Sequence, residues 1–152
     1  MESKHFANLS PPLSPNEKEV SLYKELIGDR QISKSVLLLG YTKELLDLST
    51  TAIDINPPES HINPKIKVGD WFNIREYYEV IIGDGVLNLV GGSLVEHLSK
   101  YCSKLIIRFF ESKLKGMKYA THFRDNTSML KPNVEYKTQD SCTILVWNFL
   151  KN

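Results

Sequence analysis

Charge of one sign is missing from this sequence. Its 19 basic and 18 acidic residues leave a formal net charge of +1 over 152 residues. A protein held by the nucleic-acid backbone usually needs a basic patch, so no nucleic-acid partner is expected. Lys113, Lys115 and Lys118 form a local basic cluster, and such a run reads as a solvated surface. Cysteine is scarce too. Cys102 and Cys142 lie neither in a C-x-x-C pair nor near a histidine cluster. That argues against a metal site and for free buried thiols in a reducing compartment. Long hydrophobic runs are also lacking: the stretch around Val80 to Val90 is broken by Asp84 and Asn88, too short and too polar to span a membrane. Glu2, Lys4 and His5 precede any apolar run, which speaks against a secretory leader. A cytoplasmic protein with no membrane partner is the expectation.

Glycine is missing where a phosphate would want it. Nucleotide phosphates approach backbone amides through G-x-G-x-x-G or G-x-x-x-x-G-K loops. The stretch from Ser35 to Asn56, "SVLLLGYTKELLDLSTTAIDIN", has the layout of a βαβ unit but contains only Gly40. It puts Tyr41 and Lys43 where the close approach would be. A pyrophosphate loop is a poor match, and a nucleoside without phosphates is the better candidate.

The remaining composition, 41% hydrophobic and 24% charged, fits one globular domain with its own core. Residues 1–13 read as a flexible N-terminal arm without periodicity, and residues 14–152 as a single α/β domain. "SPNEKEVSLYKELIGD" predicts a helix with Ser14 as N-cap, Pro15 in the first turn, Glu17 as capping-box partner and Gly28 as stop. "SVLLLG" is an apolar run too short for a helix, as expected of a strand buried on both faces. "TKELLDL" is a short helix with Thr42 as N-cap, and "TTAIDIN" a second strand. Pro57, Pro58 and Pro64 forbid a regular helix in the next crossover. "KIKVGDW", "YYEVIIGDG" and "KLIIRFF" read as three further strands, and "GGSLVEHLSKYC" as a helix capped by Ser93 with Glu96. "VEYKTQ" and "CTILVWNF" read as a terminal antiparallel hairpin. This order argues for an open, mostly parallel twisted sheet with flanking helices.

In such a sheet ligands bind outside the carboxyl ends of the strands, where strand order reverses. Those ends carry Gly40-Tyr41-Thr42, Asp54, Gly69-Asp70-Trp71 and Gly83-Asp84-Gly85. Each has a plainer reading: Gly40 as a tight turn, Asp54 and Asp70 as turn residues, Trp71 as core. Asp84 between two glycines is the least plain, because glycine weakens a strand and a buried unpaired acid is costly. Together they favour a ligand crevice. An acid ending the second strand suits ribose hydroxyls, and a tryptophan beside an aspartate suits a flat base.

"VLLLGYTKELLDL", "AIDIN", "VGDWFNI" and "VIIGDGVLNLV" resemble the Rossmann-like S-adenosylmethionine-dependent methyltransferases. The likeness is to a branch whose first loop reads Leu-Gly-x-Thr-x-Glu-Leu, here Leu39, Gly40, Thr42, Glu44 and Leu45. It covers roughly residues 15–110, and it implies a last strand lying antiparallel between its neighbours. By that resemblance S-adenosyl-L-methionine would be the cofactor. Asp54 would take the ribose hydroxyls, and Asp70 and Trp71 would face the adenine. Gly40, with Tyr41 and Thr42, would let the methionine part pass. Asp84, with Gly85, would sit beside the methionine amino group or the transferred methyl.

The chain departs from that family between Glu111 and Lys131, where only a short basic segment stands and no substantial lid is present. Lids normally exclude water and position the acceptor. The catalytic candidates are Asp84 and His122; His97 reads as a packing or surface residue. Arg108, inside "LIIRFF", is expected either to pair with an acid such as Asp84 or to snorkel to the rim. Two readings stay open. One is a methyltransferase acting on a small-molecule acceptor, alone or within a homo- or hetero-oligomer that completes the site. The other is a catalytically degenerate domain of the same fold that binds a partner.

Overall fold

The computed structural model describes residues 14–28, 35–57, 65–110, 130–139 and 142–149. The arm over 1–13, the prolines at 58 and 64, the basic cluster and His122 lie outside the described residues.

Helix α1 (Glu17–Ile27) starts two residues later than its sequence suggests. Its N-cap is Asn16, whose side chain accepts from the Glu19 amide at 2.8 Å while Glu19 accepts from the Asn16 amide at 3.0 Å. The reciprocal pair satisfies two orphan donors at once, so the cap expected at Ser14 with Glu17 is corrected to Asn16 with Glu19. Glu19, Tyr23 and Ile27 are the buried residues of the helix. They stand four apart, one stripe of a helix, so a glutamate occupies a position that the apolar pattern reserves for the core.

Strands β1 (Val36–Leu39), β2 (Thr51–Asp54), β3 (Ile66–Val68), β4 (Tyr78–Asp84), β5 (Cys102–Phe110), β6 (Val134–Gln139) and β7 (Cys142–Asn148) form one sheet in the order β3-β2-β1-β4-β5-β7-β6. The first five are parallel. β7 runs antiparallel between β5 and β6, as the family likeness implies. The fold class expected from the sequence is therefore the one found. Short helices α2 (Lys43–Leu46), α3 (Val86–Val90) and α4 (Ser93–Leu98) follow β1 and β4. The sequence reading did not anticipate α3; its five residues continue an apolar run from β4, and Gly85 at φ +68° makes the turn between them.

Thr42 is the N-cap of α2 as expected, although its hydroxyl makes no capping bond. Ser93 is not the N-cap of α4. Gly92 already has helical dihedrals (φ −75°, ψ −14°), so Ser93 lies inside the turn it was expected to cap.

Alternation along the strands sorts the core into two layers. Leu37, Leu39, Ile81, Leu105 and Ile107 pack with Leu87, Leu94 and Leu98 on one face. Val36, Leu38, Val80, Ile82 and Ile106 pack with Tyr23, Ile27 and Leu45 on the other. Coverage on both faces explains why β1 and the later part of β4 are apolar without interruption.

Candidate cofactor crevice

Strand order reverses between β1 and β4. From β1 the chain steps outward to β2 and β3, then returns to place β4 on the opposite side. Leu39 pairs with Gly83, so the turn after β1 and the turn after β4 rise side by side. That is where an open α/β sheet offers its crevice.

Gly40, Tyr41, Asp54 and Trp71 are brought together at the carboxyl ends of β1 and β2. The Ile53 carbonyl accepts from the Gly40 amide and from Trp71 Nε1, both at 2.8 Å. Asp54 Oδ2 accepts from the Tyr41 amide at 2.7 Å, and Oδ1 from the Asn56 amide at 2.8 Å. Gly40 has φ +82°, and a Cβ there would lie 3.3 Å from Trp71 Cζ2 and 3.7 Å from Asp54 Oδ2. Positive φ and the indole both require glycine at this position. Asp54 is only 2% exposed, yet each of its oxygens keeps acceptor capacity beyond one backbone bond. Burial, then the Glu44 carboxylate, raises the pKa of the Tyr41 hydroxyl. Thr42 is buried beside it.

Asp70 stands at the entry to a 3₁₀ turn over Trp71–Asn73, where its exposed side chain accepts from the Phe72 amide at 2.9 Å. The Trp71 indole is held by its own bond to the Ile53 carbonyl. The tryptophan packs against the core and also borders the crevice, so the two readings of it coincide.

Asp84 and Gly85 end β4, and here the side chain turns inward. Asp84 is 1% exposed and Arg108 is fully buried. Arg108 Nε meets Asp84 Oδ1 at 2.6 Å, and Nη2 meets Oδ2 at 3.3 Å. Arg108 Nη1 reaches Glu19 Oε1 at 3.0 Å. Of the two fates expected for Arg108, pairing is the one observed. Burial pushes Asp84 up to about 6; Arg108 pulls it down, while Glu19 and Glu44 add to the rise. Burial also works against the Arg108 charge, but Asp84 and then Glu19 outweigh it and raise its pKa. Each Asp84 oxygen takes one Arg108 donor and, like those of Asp54, keeps acceptor capacity beyond it. Gly85 donates its amide to the Arg108 carbonyl at 3.0 Å.

His97 packs between Phe72 and Tyr101, with ring centroids 5.9 and 5.3 Å away, and its Nε2 lies 3.1 Å from the Ile74 carbonyl. The packing reading of this residue holds. His122 lies outside the described residues.

Glu19 and Tyr23 were not singled out as site residues from the sequence. A signal existed. Glu19 sits in the same helical stripe as Tyr23 and Ile27, and Arg108 sits in an apolar strand. Opposite charges in two such contexts are each costly alone and compatible as a pair.

No family model and no curated protein sequence matches the chain. Solved structures do. A magnesium protoporphyrin IX methyltransferase from Synechocystis, crystallised with S-adenosylmethionine, aligns with TM-score 0.57 at 16% identity, over 88% of this chain and 79% of that one. An RNA methyltransferase from Salinibacter ruber, in complex with S-adenosylhomocysteine, aligns with TM-score 0.55 at 13% identity, over 91% and 95%. Monomeric WbdD aligns with TM-score 0.63 at 15% identity over 95% of this chain, which spans about half of WbdD's length (48%). The likeness establishes the Rossmann-like methyltransferase fold that the four motifs led one to expect.

Proposed function

We propose, for a chain with the Rossmann-like methyltransferase fold, that the crevice between the β1 and β4 turns binds S-adenosyl-L-methionine and that the protein methylates a small-molecule acceptor. One observation carries the reading. A side-chain-free Gly40, the flat Trp71 and the acid Asp54 converge at one point of the sheet edge. That set suits a nucleoside: a carboxylate for vicinal hydroxyls, an aromatic face for a base, and a backbone that a chain can cross closely. It suits a phosphate badly, because the nearest side-chain charge, Asp54, is negative. Cofactors carried by proteins of the same fold agree with this choice.

Held there by Asp54 and the turn at Gly40, the cofactor would supply an electrophilic sulfonium methyl for a nucleophilic acceptor. The chain's part is positioning, the main contribution when the acceptor is already nucleophilic. Asp54 orients the ribose while holding the Tyr41 amide, so the β1 turn and the ribose are fixed by one carboxylate. The Gly83–Gly85 turn forms the opposite wall. A homo- or hetero-oligomer, in which a second copy or another chain completes the acceptor site, is part of this proposal. Cys102 and Cys142 are both buried, and no helix among the described residues is long and apolar enough to cross a membrane; a cytoplasmic enzyme without a nucleic-acid or membrane partner is the setting we propose. The paired state of Asp84 favours a second reading, a domain that binds the cofactor or a partner without catalysis, since a general base would have to come from elsewhere.

Titration calorimetry with S-adenosylmethionine, S-adenosylhomocysteine and NAD tests the proposal. Binding of the first two with none for NAD is expected, and an acceptor screen then separates enzyme from degenerate domain. Failure to bind either sulfur compound overturns the cofactor assignment and leaves the partner-binding reading.

A further inference from the structure

Four parts of the chain meet in one buried network behind the β4 turn. Glu19 is fully buried, and its carboxylate accepts from Arg108 Nη1, from Gln139 Nε2 at 2.6 Å, from the Thr138 hydroxyl and from its own capping partner, the Asn16 amide. Arg108 spreads its donors over both acids: Nη1 to Glu19, Nε and Nη2 to Asp84. Nη1 also lies 3.4 Å from Cys142 Sγ, and the guanidinium carbon stands 4.7 Å from the centre of the Phe110 ring. Tyr23 works in parallel. Its hydroxyl donates to the Gly83 carbonyl at 2.5 Å and accepts from the Arg108 amide at 2.9 Å. The Gly85 amide is held by the Arg108 carbonyl. Gly83 is closely approached: a Cβ there would lie 3.3 Å from Val86 and 3.4 Å from Leu39, so those side chains would have to give. All three residues of the β4 turn are thus fixed by Arg108 or by α1.

The cost of this arrangement points to more than cohesion. An arginine between two acids, taken out of water, gains little over a well-packed apolar core. What it adds is direction: a planar fork fixes two carboxylates in one plane. The fixed object is the Gly83–Gly85 turn, which faces the Gly40 turn across the point where strand order reverses.

We infer that Glu19 and Arg108 are positioning residues of the cofactor crevice: acting through Asp84, they set the β4 turn against which the methionine end of the cofactor rests, and α1 is therefore part of the binding machinery. This rests on the S-adenosylmethionine reading above. Neither residue touches the ligand. Both act through the placement of Asp84 and its flanking glycines.

The test compares Glu19→Gln, Arg108→Lys, Arg108→Met and the double variant Glu19→Gln/Arg108→Met with wild type, using calorimetric affinity for S-adenosylhomocysteine and, separately, melting temperature. Glu25→Gln makes the same chemical change on the exposed side of α1 and serves as control. Glu19→Gln is expected to lose about tenfold in affinity, within the range for residues of one coupled network, with Glu25→Gln at the wild-type value. Arg108→Lys recovers part of what Arg108→Met loses, because it keeps the charge without the fork. The double variant binds no more weakly than Arg108→Met alone, because both act through one path. Lowered melting temperatures with unchanged affinity in Glu19→Gln and Arg108→Lys overturn the inference and make the network cohesion only. If Arg108→Met does not fold, Glu19→Gln and Arg108→Lys decide alone. A wild-type protein that binds neither S-adenosylhomocysteine nor S-adenosylmethionine overturns the cofactor reading and this inference with it.

Discussion

Asp54 separates two roles that a single carboxylate plays at this crevice, and its replacement has a computable cost. Its two oxygens hold the Tyr41 and Asn56 amides at 2.7 and 2.8 Å. A hydrogen bond to a charged acceptor is worth about 1.5–3 kcal/mol. The two are not equal after truncation to alanine. Asn56 is exposed, so its amide regains water, whereas Tyr41 is buried and its amide does not. The loss is therefore dominated by Tyr41, and Asp54→Ala should destabilise the fold by about 2–3 kcal/mol. For a chain of this size that is a fall of about 8 °C in Tm. Asp54→Asn keeps one acceptor oxygen, which can serve Tyr41, and should lose about half as much. Urea unfolding measures both, with an unchanged m-value as the condition for reading midpoints as stability. Affinity for S-adenosylhomocysteine, measured where both variants are fully folded, reads the second role. Asp54→Asn should still bind more weakly than wild type, because the remaining oxygen is committed to Tyr41 and the amide NH₂ faces the ribose. An Asp54→Ala variant within about 0.5 kcal/mol of wild type, the range of ordinary surface substitutions, would refute the view that this carboxylate holds the β1 turn.

Two further outcomes follow from the network behind β4. Tyr23→Phe removes a hydroxyl that serves the Gly83 carbonyl and the Arg108 amide in a fully buried place; a loss of about 2 kcal/mol in urea unfolding is expected, and no loss would mean that the two strand ends pair without it. Asp84 gives a pH signature. Its folded pKa is raised to about 6 by burial, against Arg108. A raised carboxylate pKa means that the folded state holds the proton more tightly, so the contribution is complete below the ordinary carboxylate range and is lost as pH rises through about 6. Compared with Asp84→Asn across pH 4 to 7.5, wild type should lose stability, by up to a few kcal/mol, as pH rises through that window; parallel curves for the two proteins would contradict the raised value.

The sheet was legible in the sequence because its signals are local and repeated. "SVLLLG", "TTAIDIN" and "YYEVIIGDG" are bounded by glycine, aspartate or proline, and burial on both faces leaves β1 and the later part of β4 uniformly apolar. The caps were less legible, because a cap is chosen among several adequate residues by what the helix does elsewhere. Ser14 and Asn16 both qualify by type; Glu19, already drawn inward by Arg108, sits three residues after Asn16 and completes the box only there. The site divides the same way. Gly40, Asp54 and Trp71 end strands, so their convergence follows from the topology. The Asp84–Arg108 pair follows too, because the two stand directly opposite each other in neighbouring strands; Glu19, 89 residues from Arg108 in the chain, does not. Only the packing of α1 across β4 and β5 brings the second acid in.

That packing bears on why one glycine suffices in the turn after β1. A phosphate-binding turn needs several glycines because its backbone amides must stay free and exposed to the anion. Here the first two amides are already committed. The Gly40 amide binds the Ile53 carbonyl, and the Tyr41 amide binds the Asp54 carboxylate. Asp54 does for the Tyr41 amide, from inside the chain, what a bound phosphate does from outside. Only one position must then lack a side chain: Gly40, where the indole of Trp71 comes close. With Tyr41, Lys43 and Glu44 as ordinary residues, the turn cannot offer a pyrophosphate its first two amides. The missing glycines and the acid that ends β2 are consequently one feature, and both fit the nucleoside ligand proposed above better than a pyrophosphate.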